Sequence, residues 1–242
     1  MRHWNELPAR LNGACLESER RCKRTARMSC VFWCARRRRR SRSKSRPCCG
    51  TVHPPEPRDV LNEVEEAFGF ASMPVVSLPD LYGGKLCATL DRQHPRDLFD
   101  VMLMLREEGL TRQIFEGFLV YLISHGRPMA DLLEPRWKPL AQIFTAEFAG
   151  MTRDPVDLAQ LEATQQALLR AIRRQFTERD AEFLLSLKQG APNWSLFGLP
   201  GIEQLPAVRW KLSNIQSMSE EKRREAVARL EAVVERLLYG RA

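Results

Sequence analysis

The feature that most constrains this chain is a break in composition at Gly50. Residues 1–49 hold 15 Lys and Arg against 3 Asp and Glu, a net of +12, together with Cys15, Cys22, Cys30, Cys34, Cys48 and Cys49. The rest carries 23 basic and 27 acidic side chains, a net of −4, and Cys87 as its single cysteine. The whole-chain charge of +8 therefore describes neither part, and it is poor ground for reading the body as a nucleic-acid binder. The stretch RCKRTARMSCVFWCARRRRRSRSKSRPCCG shows no strand alternation and no sustained helical stripe. A disordered or poorly packed segment is the expectation.

Three origins compete for that segment. Cys30 and Cys34 are spaced as a thiolate pair, but a structural zinc site needs a second well-spaced pair or a nearby histidine, and neither follows. The run Arg36 to Arg40 would attract phosphates and release counterions, as a basic nucleic-acid-binding tail does. The third origin is GC-rich DNA read out of frame, which yields Arg, Ser, Cys and Trp without periodicity, and the composition of residues 1–49 favours it. No window reaches the 18 or so uninterrupted apolar residues of a membrane span, and the N-terminus lacks a secretory apolar stretch, so the expected compartment is the cytoplasm.

From Gly50 onward the sequence is punctuated like a helical protein. After Pro54, Pro55 and Pro57, MPVVSL reads as a short strand centred on Val75 and Val76. Ser77 then opens a helix, with Pro79 tolerated in the first turn and Asp80 at capping-box spacing; Leu81, Tyr82, Leu86 and Leu90 lie along it. A second helix starts at Pro95, places Leu98, Val101, Met102 and Leu105 on one face, and stops at Gly109. Thr111 caps a third, RQIFEGFLVYLIS, apolar on most sides and hence the most buried. Further helices are expected at 139–149, 158–176 and 178–188, the last with Thr177 and Asp180 at capping spacing. GAPNWSLFGLPGIEQLPAVRW breaks the pattern as a connection, and Ser219 opens a final helix through Leu238.

One segment, GGKLCATLDRQHPRDLFD, crowds charge at a helix start. Asp97 and Asp100, three apart, project from one face and could share a cation; Lys85 on the preceding helix could hold phosphate oxygens as a point charge. Plainer readings exist for each residue. Asp97 suits the helix dipole, Arg92 or Arg96 can be its surface partner, His94 before Pro95 can be a cap, and Gly83 and Gly84 can serve close helix packing rather than a ligand.

The stretch SLPDLYGGKLCATLDRQHPRDLFDVMLML resembles the distal block of the AbiEii/AbiGii nucleotidyltransferase toxin family: a strand leads into a helix carrying a lysine, and the next helix carries Asp-x-x-Asp. The resemblance extends over roughly Gly50 to Leu238. It implies nucleotide-binding roles for Lys85, Arg92 and Arg96 and catalytic roles for Asp97 and Asp100, with no metal ligand assigned. It further implies transfer of a nucleotide from an NTP with Mg²⁺ to an RNA or protein acceptor, tRNA among them. The biological setting it implies is toxin–antitoxin or phage defence, with a cognate antitoxin as partner.

The family's earlier block, a Gly-rich loop followed by Asp-x-Asp, has no counterpart in this sequence. Without the metal-binding pair the displacement loses its main charge neutralisation. A truncated or frameshifted copy, catalytically impaired alone, is therefore the expectation. The expected fold is α+β: a basic segment at 1–49, a remnant of the nucleotidyltransferase sheet with the Lys and Asp-x-x-Asp motif at 50–109, and a helical region at 110–242. Missing strands would leave an apolar sheet edge uncovered and favour association. The alternatives are a noncatalytic helical binding module and a basic nucleic-acid-binding protein; Arg170, Arg173 and Arg174 are the body's own candidates for tRNA contact.

Overall fold

The computed structural model describes residues 52–240. The basic segment, its Cys30–Cys34 pair and the run Arg36 to Arg40 lie outside the described residues.

The described chain begins with a small antiparallel sheet. Strand β1 (Glu56–Asp59) leads through helix α1 (Asn62–Phe68) to β2 (Ser72–Val75), with Glu56 opposite Val75 and Asp59 opposite Ser72. Only the second strand was expected from sequence. In the register Pro57 faces Pro74, and proline, which cannot donate to a ladder, argues against a strand wherever it is read. None of the three elements contributes a buried residue.

The helical body follows. Helix α2 (Leu78–Arg92) is capped by Ser77, whose hydroxyl accepts from the Asp80 N–H, and it ends on Gln93 in the left-handed region at φ 58°. Helix α3 (Pro95–Glu107) starts on His94, whose ring nitrogen accepts from the Arg96 N–H. Glycine at φ +70° in Gly109 turns the chain, and Thr111 caps α4 (Arg112–Ser124). Two short helices, α5 (Met129–Leu133) and α6 (Ala141–Glu147), precede the long α7 (Leu158–Gln175). In α8 (Glu178–Gln189) Thr177 and Asp180 form a reciprocal capping box. Two 3₁₀ turns, Trp194–Leu196 and Ile202–Gln204, lead into α9 (Pro206–Gln216) and α10 (Glu220–Tyr239). The architecture is α+β and mostly helical, as the sequence implied.

Helix α4 is the centre of the core: Ile114, Phe115, Phe118, Leu119, Val120, Leu122 and Ile123 are all buried. Its closest partner is α2, and the two backbones touch where both helices carry glycine. A Cβ added to Gly83 would lie 2.6 Å from the Gly117 carbonyl carbon, and one added to Gly117 would lie 2.4 Å from the Pro79 carbonyl oxygen. Backbone cannot yield as a side chain can, so both positions require glycine for packing. Gly84 only faces the Tyr121 ring, at 3.5 Å from an added Cβ.

The segment Gly190 to Trp210 is more than a connection. Phe197 stacks on Phe183 with ring centroids 4.6 Å apart, and Trp194 meets the same ring at 5.6 Å. Ile202, Val208 and Ile215 are buried in the same core, and residues from Pro206 on are already helical. A smaller cluster, Leu98, Leu140, Phe148 and Leu161, seals α3 against α6 and α7.

One ion pair ties the start of α4 to the start of α8. The Arg112 guanidinium donates two bonds to the Asp180 carboxylate, at 2.8 and 2.6 Å, and a third to the Gln175 carbonyl at 3.1 Å. Burial opposes ionisation of Asp180, but Arg112 and Thr177 outweigh it and hold the carboxyl below its ordinary range. The same bond, against desolvation, raises Arg112 further.

Candidate functional site

Helices α2 and α3 form an antiparallel hairpin, and the charged residues sit on it as two rungs. Lys85 and Arg92 are seven apart on α2, two turns on one face; Asp97 and Asp100 are three apart on α3. The hairpin pairs them crosswise. The Lys85 ammonium donates to the Asp100 carboxylate, and Arg92 donates to Asp97 Oδ1 at 2.6 Å. Between the rungs, the buried Thr89 hydroxyl bonds the Lys85 carbonyl at 2.8 Å and approaches the Asp97 carbonyl at 3.2 Å. Thr89 thereby fixes the spacing of the two helices at the rungs, a role with no signal in the sequence.

The two rungs differ in setting. Lys85 and Asp100 are about equally open, at 34% and 38% exposure, so the pair can exchange partners with a ligand. Asp97 is 14% exposed, and its Oδ2 is buried with no hydrogen-bond partner among the described residues.

The remaining candidate stands apart. Arg96 donates to the Glu147 carbonyl at 3.1 Å, at the end of α6, and His94 Nε2 lies 3.0 Å from the Glu147 carboxylate. Arg96 and His94 thus dock α6, while Lys85, Arg92, Asp97 and Asp100 come together.

The hairpin is held rigidly from behind. The buried Gln93 side chain donates to the Arg136 carbonyl at 3.0 Å and accepts from the Lys138 N–H at 2.7 Å. At the other end of α2 the buried Asp80 carboxylate accepts from the Val52 and His53 backbone N–H groups, each at 2.8 Å, and from the Ser77 hydroxyl at 3.1 Å. Asp80 therefore does more than its capping spacing implied: it fastens the strand-bearing segment to the site helix. Gly83 and Gly84, the two residues before Lys85, are accounted for by α4 and not by an approaching ligand.

The residues present do not fit a Mg²⁺ site. Asp97 and Asp100 already face Arg92 and Lys85, cations where a metal would have to sit, and among the described residues no group of three or more His, Cys, Asp or Glu could hold a metal ion. No helix of the described residues is long and apolar enough to cross a membrane.

The hairpin thus sets Lys85 and Arg92 of one helix against Asp100 and Asp97 of the next, on a mostly helical α+β scaffold. The family model described as nucleotidyl transferase AbiEii toxin, type IV TA system, matches residues 47–214. That match spans more than half of the chain and contains every rung residue, and the chain belongs to this nucleotidyltransferase toxin family. The family implies a toxin–antitoxin setting with an antitoxin as partner. No curated protein and no solved structure gives a match.

Proposed function

We propose that the α2–α3 hairpin is one wall of an NTP site and that the chain is impaired as a catalyst when it acts alone. Lys85 takes the phosphate oxygens, with Asp100 as the counter-ion that positions it until the nucleotide arrives. Arg92 adds a second donor, oriented by Asp97, and Arg96 lies too far towards α6 to join unless that helix moves. The observation that carries this reading is the Lys85–Asp100 pair, 34% and 38% exposed on a hairpin whose inner face is packed in the core. The nucleotide would pass to an RNA or protein acceptor in a bacterial toxin–antitoxin or phage-defence system of the cytoplasm.

The impairment rests on charge. Transfer between phosphates needs the developing negative charge neutralised; here Asp97 and Asp100 are each matched to a cation, and the sequence contains no Asp-x-Asp. The purified chain should bind labelled ATP or GTP weakly, and Lys85→Met should weaken that binding at least about tenfold, or ~1.4 kcal/mol. Equal affinity in wild type and Lys85→Met would remove the proposed site. Mg²⁺-dependent incorporation of labelled nucleotide that disappears in Asp100→Ala would show the chain to be competent and end the claim of impairment.

A further inference from the structure

Two lysines are buried in the body, and they are treated differently. Lys211 on α9 is 7% exposed, and its ammonium donates to the His125 carbonyl at 2.6 Å and the Arg127 carbonyl at 2.9 Å. Lys188, in the last turn of α8, is 8% exposed and makes no hydrogen bond or ion pair among the described residues. A last-turn position favours a lysine through the helix dipole, but that favours an exposed one equally. It does not account for a lysine whose stem is buried while its ammonium, still in contact with solvent, has no partner among the described residues. Desolvation accordingly pushes the Lys188 ammonium below the ordinary lysine range.

Lys188 lines a cleft of about 250 Å³ between α5, α8 and α10, several times the ~30 Å³ that a water molecule takes. Its walls are Met129, Ala130, Met218, Ala226 and Leu230, apolar and, through the methionines, adaptable in shape. Lys222, Glu225 and Arg229 stand on the α10 side. Arg229 is matched by Asp131 at 2.5 Å. Among the lining residues Glu225 is then the one remaining carboxylate beside Lys188 and Lys222, so the lining carries one positive charge in excess.

We propose that this cleft binds a small aliphatic carboxylate, its tail between Met129, Met218 and Leu230 and its head on Lys188. The single surplus charge suits a monoanion. A phosphate monoester would bring close to two negative charges at neutral pH, and an ammonium offers no bidentate fork that would select it. The site lies apart from the α2–α3 hairpin and does not depend on nucleotidyl transfer.

The test is isothermal titration of the full chain with hexanoate, 1-hexanol and inorganic phosphate. Hexanoate should bind saturably, hexanol at least tenfold more weakly, and phosphate not detectably. Lys188→Met keeps the length and removes the charge, so it should weaken hexanoate at least tenfold and leave hexanol unchanged. Ala226→Leu should fill the cleft and abolish both, with the helical circular dichroism retained. Absence of hexanoate binding, equal binding of hexanol, tighter binding of phosphate, or undiminished hexanoate affinity in either variant would overturn the proposal.

Discussion

The β1–α1–β2 segment and the α4 core sit in one chain and obey opposite rules. Around α4, Phe115 and Phe118 are fully enclosed and glycine brings two backbones into contact. In the β1–α1–β2 segment Leu61, Phe68 and Phe70 are 72%, 87% and 67% exposed, and Met73, Val75 and Val76 are open as well. Both regions are rich in large apolar side chains, so composition does not separate them. What separates them is the number of layers: the helices have neighbours on several sides, whereas the two-stranded sheet with one short helix has no second layer among the described residues and is marginal by itself. Its attachment is therefore polar, through the Asp80 carboxylate and the Val52 and His53 N–H groups.

The contrast can be broken most forcefully at Phe118. Phe118→Ala should destabilise by about 3–5 kcal/mol in urea unfolding, and a loss below ~1 kcal/mol would mean that the core is not packed as described. Asp180→Asn leaves Arg112 with Glu116 as its one remaining carboxylate partner among the described residues and should lose roughly 2 kcal/mol. The same pair sets an acid dependence. Because the Asp180 pKa is lowered from 3.8 on folding, its contribution is present above that value and disappears as pH falls through the lower folded value. In Asp180→Asn the acid limb of a stability–pH profile should flatten there.

Gly83→Ala is the next largest. Alanine gains ~1 kcal/mol of helix propensity over glycine, but the 2.6 Å approach to the Gly117 carbonyl carbon makes overpacking, typically 1–3 kcal/mol, the larger effect. Thermal melting should show a net loss; a raised Tm would mean the crossing is looser than drawn. Phe68→Ser should change unfolding free energy by less than about 0.5 kcal/mol. It should also reduce self-association in sedimentation velocity, since exposed apolar patches of this kind drive association. A large stability loss from Phe68→Ser would mean that this residue is covered after all.

Helix starts were the most legible part of the sequence, because one side chain announces each: Ser77, Thr111, Thr177 and Ser219 all accept from the third backbone N–H of their helices. Helix α9 was hidden because Gly198, Pro200 and Gly201 end one pattern just before Pro206 begins another, and eleven residues are few for periodicity to emerge. Strand β1 was hidden by Pro57. At the site, residue type and spacing brought out Lys85, Arg92, Asp97 and Asp100. Which cation meets which acid was not legible, because it depends on the turn at Gln93, a non-glycine residue in the left-handed region, and on Thr89, whose partners lie on two helices.

The glycine contact between α2 and α4 has a consequence for how the chain can drift in sequence. Where helices meet through side chains, a substitution on one can be absorbed by a change on the other, and their separation wanders over evolutionary time. Gly83 and Gly117 remove that freedom, since the gap between them is set by the width of the polypeptide backbone itself. The crossing works as a fixed gauge, two residues from Lys85: residues around it can be exchanged, but the height at which that lysine stands above the core is inherited unchanged.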